Sequence, residues 1–193
     1  MKLQPTTYNL QPQKGFTLIE LIIATVIMAI LSSVTVASFR ESEKNKRLTA
    51  GQDIIVNAVR IAQNRALASE AIVSSTCTIS SIPDRAPKSF VIFFNSTVSA
   101  TLYGIDKCDS AIALETYLYP RDVLVQSGGL AINGSSVGSL QIKFTLPFAQ
   151  STASSNPSIN QGSFDSFTTA AVTIGISNKT RTVTVDGVSG KVE

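Results

Sequence analysis

The sequence predicts an α+β protein in which one long N-terminal helix packs on an antiparallel β-sheet domain. Three observations support this prediction. An uninterrupted apolar run occupies residues 16–39, helical spacing of apolar residues continues over residues 40–71, and short β-branched segments broken by turn residues fill residues 72–193. Residues 1–15 precede the apolar run and form a separate polar segment.

The composition of the 193 residues limits the classes of function. Apolar residues make up 44% and charged residues 15%, which fits one modest globular domain plus one membrane segment. The formal net charge of +3 is too small to indicate a nucleic-acid binder. The chain has no His, and its residues show no nucleophile–base pair or metal-ligand series. We therefore expect no enzymatic activity, no cofactor and no metal site.

The apolar run has the length and composition of a membrane-spanning helix. Residues 16–39 contain no Lys or Arg and a single carboxylate, Glu20. As a helix this run extends about 36 Å, slightly more than the ~30 Å hydrocarbon core, which a modest tilt accommodates. A cleaved secretory signal would instead have a shorter apolar core followed by a small-residue cleavage site. We predict a single-pass helix that is retained.

Flanking charges predict the orientation of this helix. Lys2 and Lys14 precede the run without any acidic residue, which favours a cytoplasmic N-terminus and a C-terminal domain exported to the periplasm. On the other side of the run, Arg40, Lys44 and Arg47 share one helix face. We expect these three side chains to contact phospholipid headgroups or to solvate the helix, with DNA as the alternative partner.

Glu20 needs an explanation, because a carboxylate at the centre of a membrane costs up to ~2.5 to 3.5 kcal/mol. Its context is Lys14-Gly15-Phe16-Thr17-Leu18-Ile19-Glu20-Leu21. This segment resembles the class-III signal of type IV pilins and pseudopilins, in which a prepilin peptidase cuts after the Gly and methylates the new N-terminal Phe. The resemblance implies cleavage between Gly15 and Phe16, loss of residues 1–15 as a leader peptide, and N-methylation of Phe16.

Cleavage would create an ammonium group at Phe16, which Glu20 of a neighbouring subunit can neutralise. The alternative for Glu20 is a side chain that reaches the headgroups. By resemblance, the subunits leave the inner membrane for a helical fibre with the apolar helices at its centre. The implied partners are the prepilin peptidase, other pilin or pseudopilin subunits and, before assembly, inner membrane lipid. The implied shape is a pilin-like lollipop, a helical stalk whose exported half carries the sheet.

The exported part follows with a helical segment and then strands. Gly51 weakens the helix by about 1 kcal/mol and is a candidate bend. Residues 148–167, rich in Ser, Asn and Gly, predict a long flexible loop. Cys77 and Cys108 are the only cysteines, and an oxidising periplasm favours a disulfide between them. The predicted strands cover residues 72–80, 89–96, 112–119, 122–127, 139–146, 168–177 and 181–188.

The β-rich body and the ending at residues 181–193 also resemble the GspH/FimT family of minor pseudopilins. This resemblance implies a FimU-like minor pilin that helps initiate or cap a type IV pilus. One alternative is a GspH-like minor pseudopilin of a type II secretion system. A further alternative is a FimT-like DNA-uptake protein, with Lys179, Arg181 and Lys191 as possible DNA contacts. DNA is the less favoured partner, because Glu193 stands where DNA-binding members have a basic residue and would repel phosphates.

Overall fold

A computed structural model describes residues 15–72, 78–79, 82–83, 87–95, 97–159 and 163–193. The predicted α+β fold class is confirmed: one long helix, α1 (Leu18–Leu67), is followed by antiparallel sheets. The chain divides into two compact units, Met1–Ser42 and Glu43–Glu193. The strands are β1 (Thr78–Ile79), β2 (Ile82–Pro83), β3 (Ser89–Phe94), β4 (Ser99–Ile105), β5 (Ala111–Leu118), β6 (Leu124–Ile132), β7 (Ser135–Ser136), β8 (Leu140–Thr145), β9 (Gln150–Ser154), β10 (Thr169–Ile176) and β11 (Lys179–Asp186).

The described strands form three antiparallel sheets. The largest has the order β5-β4-β3-β8-β9, the second has the order β11-β10-β6-β7, and β1 pairs only with β2. All six residues of β3 are buried, which fits the central position of this strand and its sequence Ser-Phe-Val-Ile-Phe-Phe. The last two strands, β10 and β11, form a hairpin, with Ile176 opposite Lys179.

The C-terminal half of α1, residues 43–67, supplies one wall of the core of the Glu43–Glu193 unit. The predicted apolar stripe is buried, and small residues lie beside the large ones on the same face. A Cβ atom on Gly51 would lie 3.0 Å from both Ile174 Cδ1 and Val123 Cγ1. Gly51 therefore marks a close approach of helix and sheet, and α1 continues through it. The buried helix residues are Leu48, Ile55, Ala58, Val59, Ala62 and Ala66.

α1 ends at Leu67, four residues before the predicted end. Ser69 adopts a positive φ of 49°, and the N–H groups of Ser69 and Glu70 donate to the carbonyls of Ala66 and Arg65. This hydrogen-bond pattern is a Schellman motif, which closes the helix. The usual residue at the left-handed position is Gly, so a Ser there gave no stop signal in the sequence.

Four strands were absent from the sequence prediction: the two-residue strands β2 and β7, and the longer strands β4 and β9. The prediction of a loop over residues 148–167 is wrong for Gln150–Ser154, because β9 pairs with β8 along its whole length. Ser151 of β9 is buried, and its hydroxyl donates to the carbonyl of Gly187 at 2.6 Å. Of the predicted strand over residues 72–80, the two residues of β1 are strand and residues 73–77 and 80 lie outside the described residues.

Candidate functional site

The predicted processing segment lies at the start of α1. Gly15, Phe16 and Thr17 precede the helix and are exposed. The Thr17 hydroxyl accepts a hydrogen bond from the backbone N–H of Glu20 at 3.3 Å, and the Thr17 carbonyl accepts one from Leu21 N–H at 3.2 Å. Thr17 is thus the N-cap, and this cap keeps the Gly15–Phe16 bond outside the helix. A peptide bond outside regular structure is open to a peptidase.

Thr17 is a site residue that the sequence analysis missed. The spacing Thr17-x-x-Glu20 is that of a capping box, so the signal was present in the sequence. This arrangement places the Glu20 carboxylate in the first turn of α1, where the helix dipole favours negative charge. The Glu20 side chain is exposed and has no hydrogen bond or ion pair within the described part of the chain. Its carboxylate is therefore available to a positive group from outside the molecule.

The membrane half of α1, residues 18–39, presents apolar side chains to its surroundings. The described part of the chain has this one helix that is long and apolar enough to cross a membrane, and none of its most apolar stretch is buried. Four of the five hydroxyl side chains in this half do not need outside partners. Each of the following donates to a carbonyl three or four residues earlier, at 2.7 to 2.9 Å: Thr25, Ser32, Ser33 and Thr35. Because these hydroxyls are hydrogen-bonded within their own helix, they can lie in lipid, which fits a single-pass membrane anchor.

The predicted disulfide involves one residue that lies outside the described residues, Cys77, so the bond stays a prediction. Cys108 lies in the turn between β4 and β5. The Asp106 carboxylate organises this turn by accepting from the N–H groups of Cys108 at 3.0 Å and Ser110 at 2.8 Å. The turn is anchored further by an ion pair between Lys88 and Asp109 at 2.6 Å.

The three candidate DNA contacts lie in two places. Lys179 Nζ donates to Asn45 Oδ1 at 2.8 Å, and Arg181 donates to Gln52 Oε1 at 3.1 Å, so both basic residues reach α1.

Lys191 belongs to the C-terminal tail, where it forms an ion pair with Glu193. This tail pairs with the far end of β11, with Val192 opposite Val185. Six residues of strand, on the order of 20 Å, separate Val185 from Lys179. The structure therefore does not gather the three predicted contacts into one patch, and DNA binding stays a prediction.

The basic residues predicted to share one helix face beyond the apolar run belong to different compact units. Arg40 belongs to the Met1–Ser42 unit, while Lys44 and Arg47 belong to the Glu43–Glu193 unit. Arg47 is held by two carboxylates, Glu43 at 2.5 Å and Asp122 at 3.0 Å. Its hydrogen bond and charge interaction with Glu43 raise the pKa of Arg47. The contact with Asp122 brings a distant loop to α1, and no sequence pattern signalled it.

Comparison with known proteins identifies one family model, described as the prokaryotic N-terminal methylation motif, which matches residues 10–36. No curated protein and no solved structure is significantly similar to the chain. The matched range contains Gly15, Phe16 and Glu20, and it supports a type IV pilin-like substrate of the prepilin peptidase. The match does not extend to the β-rich body, so the GspH/FimT assignment stays a hypothesis.

Proposed function

We propose that this protein is a minor pilin, processed by prepilin peptidase and incorporated into a type IV pilus, where it helps initiate or cap fibre assembly. The observation that carries the proposal is the methylation motif at residues 10–36, placed directly on a helix half whose apolar side chains the described chain leaves uncovered. The proposed role is structural, without catalysis or a cofactor. The GspH/FimT family, and a FimU-like member in particular, is the subfamily we propose.

In this proposal the apolar half of α1 has two successive environments. Inner membrane lipid covers it before assembly, and the helices of other pilin-type subunits cover it in the fibre. The β-rich domain lies in the periplasm throughout, where Cys77 and Cys108 can form their disulfide. Loss of residues 1–15 removes Lys2 and Lys14 and leaves fourteen basic against thirteen acidic side chains.

Assembly in this proposal depends on one charge pair. Cleavage leaves an ammonium group at Phe16, two residues before the first residue of α1. A neighbouring subunit's exposed Glu20 carboxylate neutralises this group within the apolar contact between helices. Removing one partner of a buried pair leaves an uncompensated charge, which costs about 3–5 kcal/mol. The pair therefore acts as a register device between subunits.

The experiment compares the wild-type chain with Glu20→Ala and Glu43→Ala, expressed in the native host. Both substitutions remove a carboxylate from α1, but Glu43 pairs with Arg47 in its own chain, so it serves as the matched control. Mass spectrometry should show a methylated Phe16 N-terminus in all three proteins. In sheared fibres, the Glu20→Ala protein should fall about tenfold or more, while the Glu43→Ala protein stays at the wild-type level.

Two results would contradict the proposal. A native chain that still begins at Met1, or is trimmed beyond the apolar run, would refute processing at Gly15. Equal incorporation of Glu20→Ala would refute the charge-pair mechanism.

The alternative system is a type II secretion pseudopilus, which uses the same processing. A deletion strain separates the two systems, because a pilus role predicts fewer pili and less twitching with unchanged enzyme secretion. The reverse pattern would assign the protein to secretion.

A further inference from the structure

Basic side chains surround the start of α1 in the Glu43–Glu193 unit. Two ties bring them together from distant parts of the sequence. Asp122 binds Arg47 at 3.0 Å and fixes the segment between β5 and β6 to α1, while Lys179 binds Asn45 at 2.8 Å and fixes the β10–β11 turn. We name this set the basic collar, with the members Lys44, Lys46, Arg47, Arg121, Lys179 and Arg181.

The collar concentrates the positive charge of the molecule. Three carboxylates lie on the same segments, Glu43, Asp53 and Asp122, so six basic side chains leave an excess of three positive charges. Residues 16–193 as a whole have an excess of only one. The remainder of the mature chain is therefore net negative, and the field of the molecule is strongly asymmetric.

The collar lies next to the membrane half in the chain. Only Arg40, Glu41 and Ser42 separate the last residue of the apolar run, Phe39, from Glu43. Anionic headgroups attract basic side chains within a Debye length of ~8 Å of the membrane surface. Lys44, Lys46 and Arg47 follow the apolar run closely in the chain, so they are the collar residues that the chain itself keeps nearest to this surface.

We propose that the basic collar binds the anionic phospholipid headgroups of the leaflet from which α1 emerges, before the subunit enters a fibre. This inference rests on α1 as a membrane anchor and goes beyond the proposed pilin role. Asn45 acts as a positioning residue, because it holds Lys179 against α1 near the other collar residues. Gln52 holds Arg181 about two helical turns further along α1, so Arg181 contributes least to the proposed contact. The collar thereby holds the β10–β11 turn and the segment around Arg121 at the lipid surface.

Lipid fits the collar better than DNA, which would also be attracted to positive charge. The third candidate DNA contact, Lys191, lies on the order of 20 Å away along β11 and is paired with Glu193. The membrane anchor also keeps headgroups beside the collar at a high effective concentration, whereas DNA must be captured from solution.

The test uses the full chain reconstituted in lipid nanodiscs, either of phosphatidylcholine alone or with about 30% phosphatidylglycerol. A water-soluble amine reagent labels the lysines, and mass spectrometry gives the labelling rate of each. Anionic lipid should slow the labelling of Lys46 and Lys179 about threefold or more, and about 0.5 M NaCl should restore it. The reference is Lys88, which is 49% exposed and pairs with Asp109.

Lys88 is a suitable reference because it lies at the other end of the main sheet. The backbone N–H of Lys88 donates to the carbonyl of Ile105, which is the last residue of β4. The first residue of β4, Ser99, pairs instead with Leu118, three residues before Arg121 of the collar. The length of β4 puts about 20 Å between these two ends.

Matched double variants identify the charges responsible. Arg121→Gln with Lys179→Gln removes two collar charges, while Arg60→Gln with Lys107→Gln removes two charges elsewhere. The first pair should reduce the lipid-dependent slowing of Lys46 labelling to half or less, and the second should preserve it.

Three outcomes would overturn the inference. The first is equal labelling of the collar lysines in both lipids, and the second is equal slowing of Lys88. The third is protection by double-stranded DNA but not by anionic lipid, which would assign the collar to DNA. A chain that fails to enter nanodiscs would refute the membrane anchor and the proposed function together, while a failure of peptidase processing alone would leave the collar inference standing.

Discussion

The two halves of α1 belong to one continuous helix, but the apolar side chains of one half are exposed and those of the other are buried. Ile27, in the membrane half, is 51% exposed, whereas Ile55, in the C-terminal half, is fully buried. The membrane half is apolar on all sides, while the C-terminal half has one apolar face and one polar face. The pattern around the helix, and not helix propensity, therefore decides whether a half is covered by its own chain or from outside.

Side-chain size differs between the halves for the same reason. The buried face of the C-terminal half alternates large residues with Gly51, Ala58 and Ala62, which lets the helix approach the sheet closely. The membrane half has mostly long or β-branched side chains, which suit a soft lipid surface. Of the two halves of α1, only the C-terminal half should therefore contribute to the stability of the Glu43–Glu193 unit, and the following substitutions test that expectation.

The largest difference is expected for the same substitution in the two halves. Ile55→Ala removes a fully buried side chain and should lower the free energy of unfolding of the Glu43–Glu193 unit by about 2–5 kcal/mol. Ile27→Ala creates no cavity in that unit and should change this quantity by less than about 0.5 kcal/mol. Urea titration of the full chain in detergent, followed by near-ultraviolet circular dichroism, measures both. Equal losses would show that the halves are not energetically separate.

A smaller effect is expected from overpacking the close contact at Gly51. Gly51→Leu inserts a side chain where Ile174 and Val123 are already 3.0 Å from the added Cβ, and it should cost about 1–3 kcal/mol. Ala50→Leu adds the same side chain on the exposed face and should be close to neutral. The same urea titration compares the two variants. A stable Gly51→Leu protein would mean that helix and sheet stand further apart than the structure shows.

Local patterns explain which parts of the fold were predictable. The apolar run, the helix that continues after it and the buried stripe of α1 could all be predicted, because each depends on the spacing of apolar residues that are neighbours in the sequence. Strand β9 has the sequence Gln-Ser-Thr-Ala-Ser, which lacks large β-formers, and its pairing with β8 and the bond from Ser151 to Gly187 are tertiary interactions. The helix end at Ser69 was missed because a Ser occupies a position that usually holds Gly.

The functional residues also differ in whether the sequence alone could predict them. Gly15, Phe16 and Glu20 stand in one contiguous motif, so the sequence alone indicated them, and the matched family model covers the same residues. The basic collar is different, because Asp122, which carries Arg121 beside it, and Lys179 reach the start of the collar segment of α1 only through the tertiary fold. No window of the sequence contains both groups, so only the folded structure shows their proximity.

The smallest expected change in stability concerns hydroxyl groups, which differ between the two regions in their hydrogen-bond partners. Thr25 in the membrane half donates to its own helix, whereas the buried Tyr119 hydroxyl has no hydrogen-bond partner among the described residues. Tyr119→Phe should therefore be neutral or stabilising by up to about 1 kcal/mol at pH 7. Thr25→Val, the control in the membrane half, should leave the stability of the Glu43–Glu193 unit unchanged.

The same tyrosine predicts the direction of the alkaline response. Burial raises the pKa of Tyr119 above its ordinary value of about 10, because the charged phenolate is disfavoured in the core. Below pH 10 the tyrosine is protonated in both states, but above it the unfolded chain loses the proton first, so stability falls as pH rises. Tyr119→Phe should flatten this fall without abolishing it, since Tyr117 has a raised pKa as well. Urea midpoints at pH 7 and about pH 10.5 measure the slope. An unchanged slope would mean that the Tyr119 hydroxyl reaches water, so that burial does not set its pKa in the folded chain.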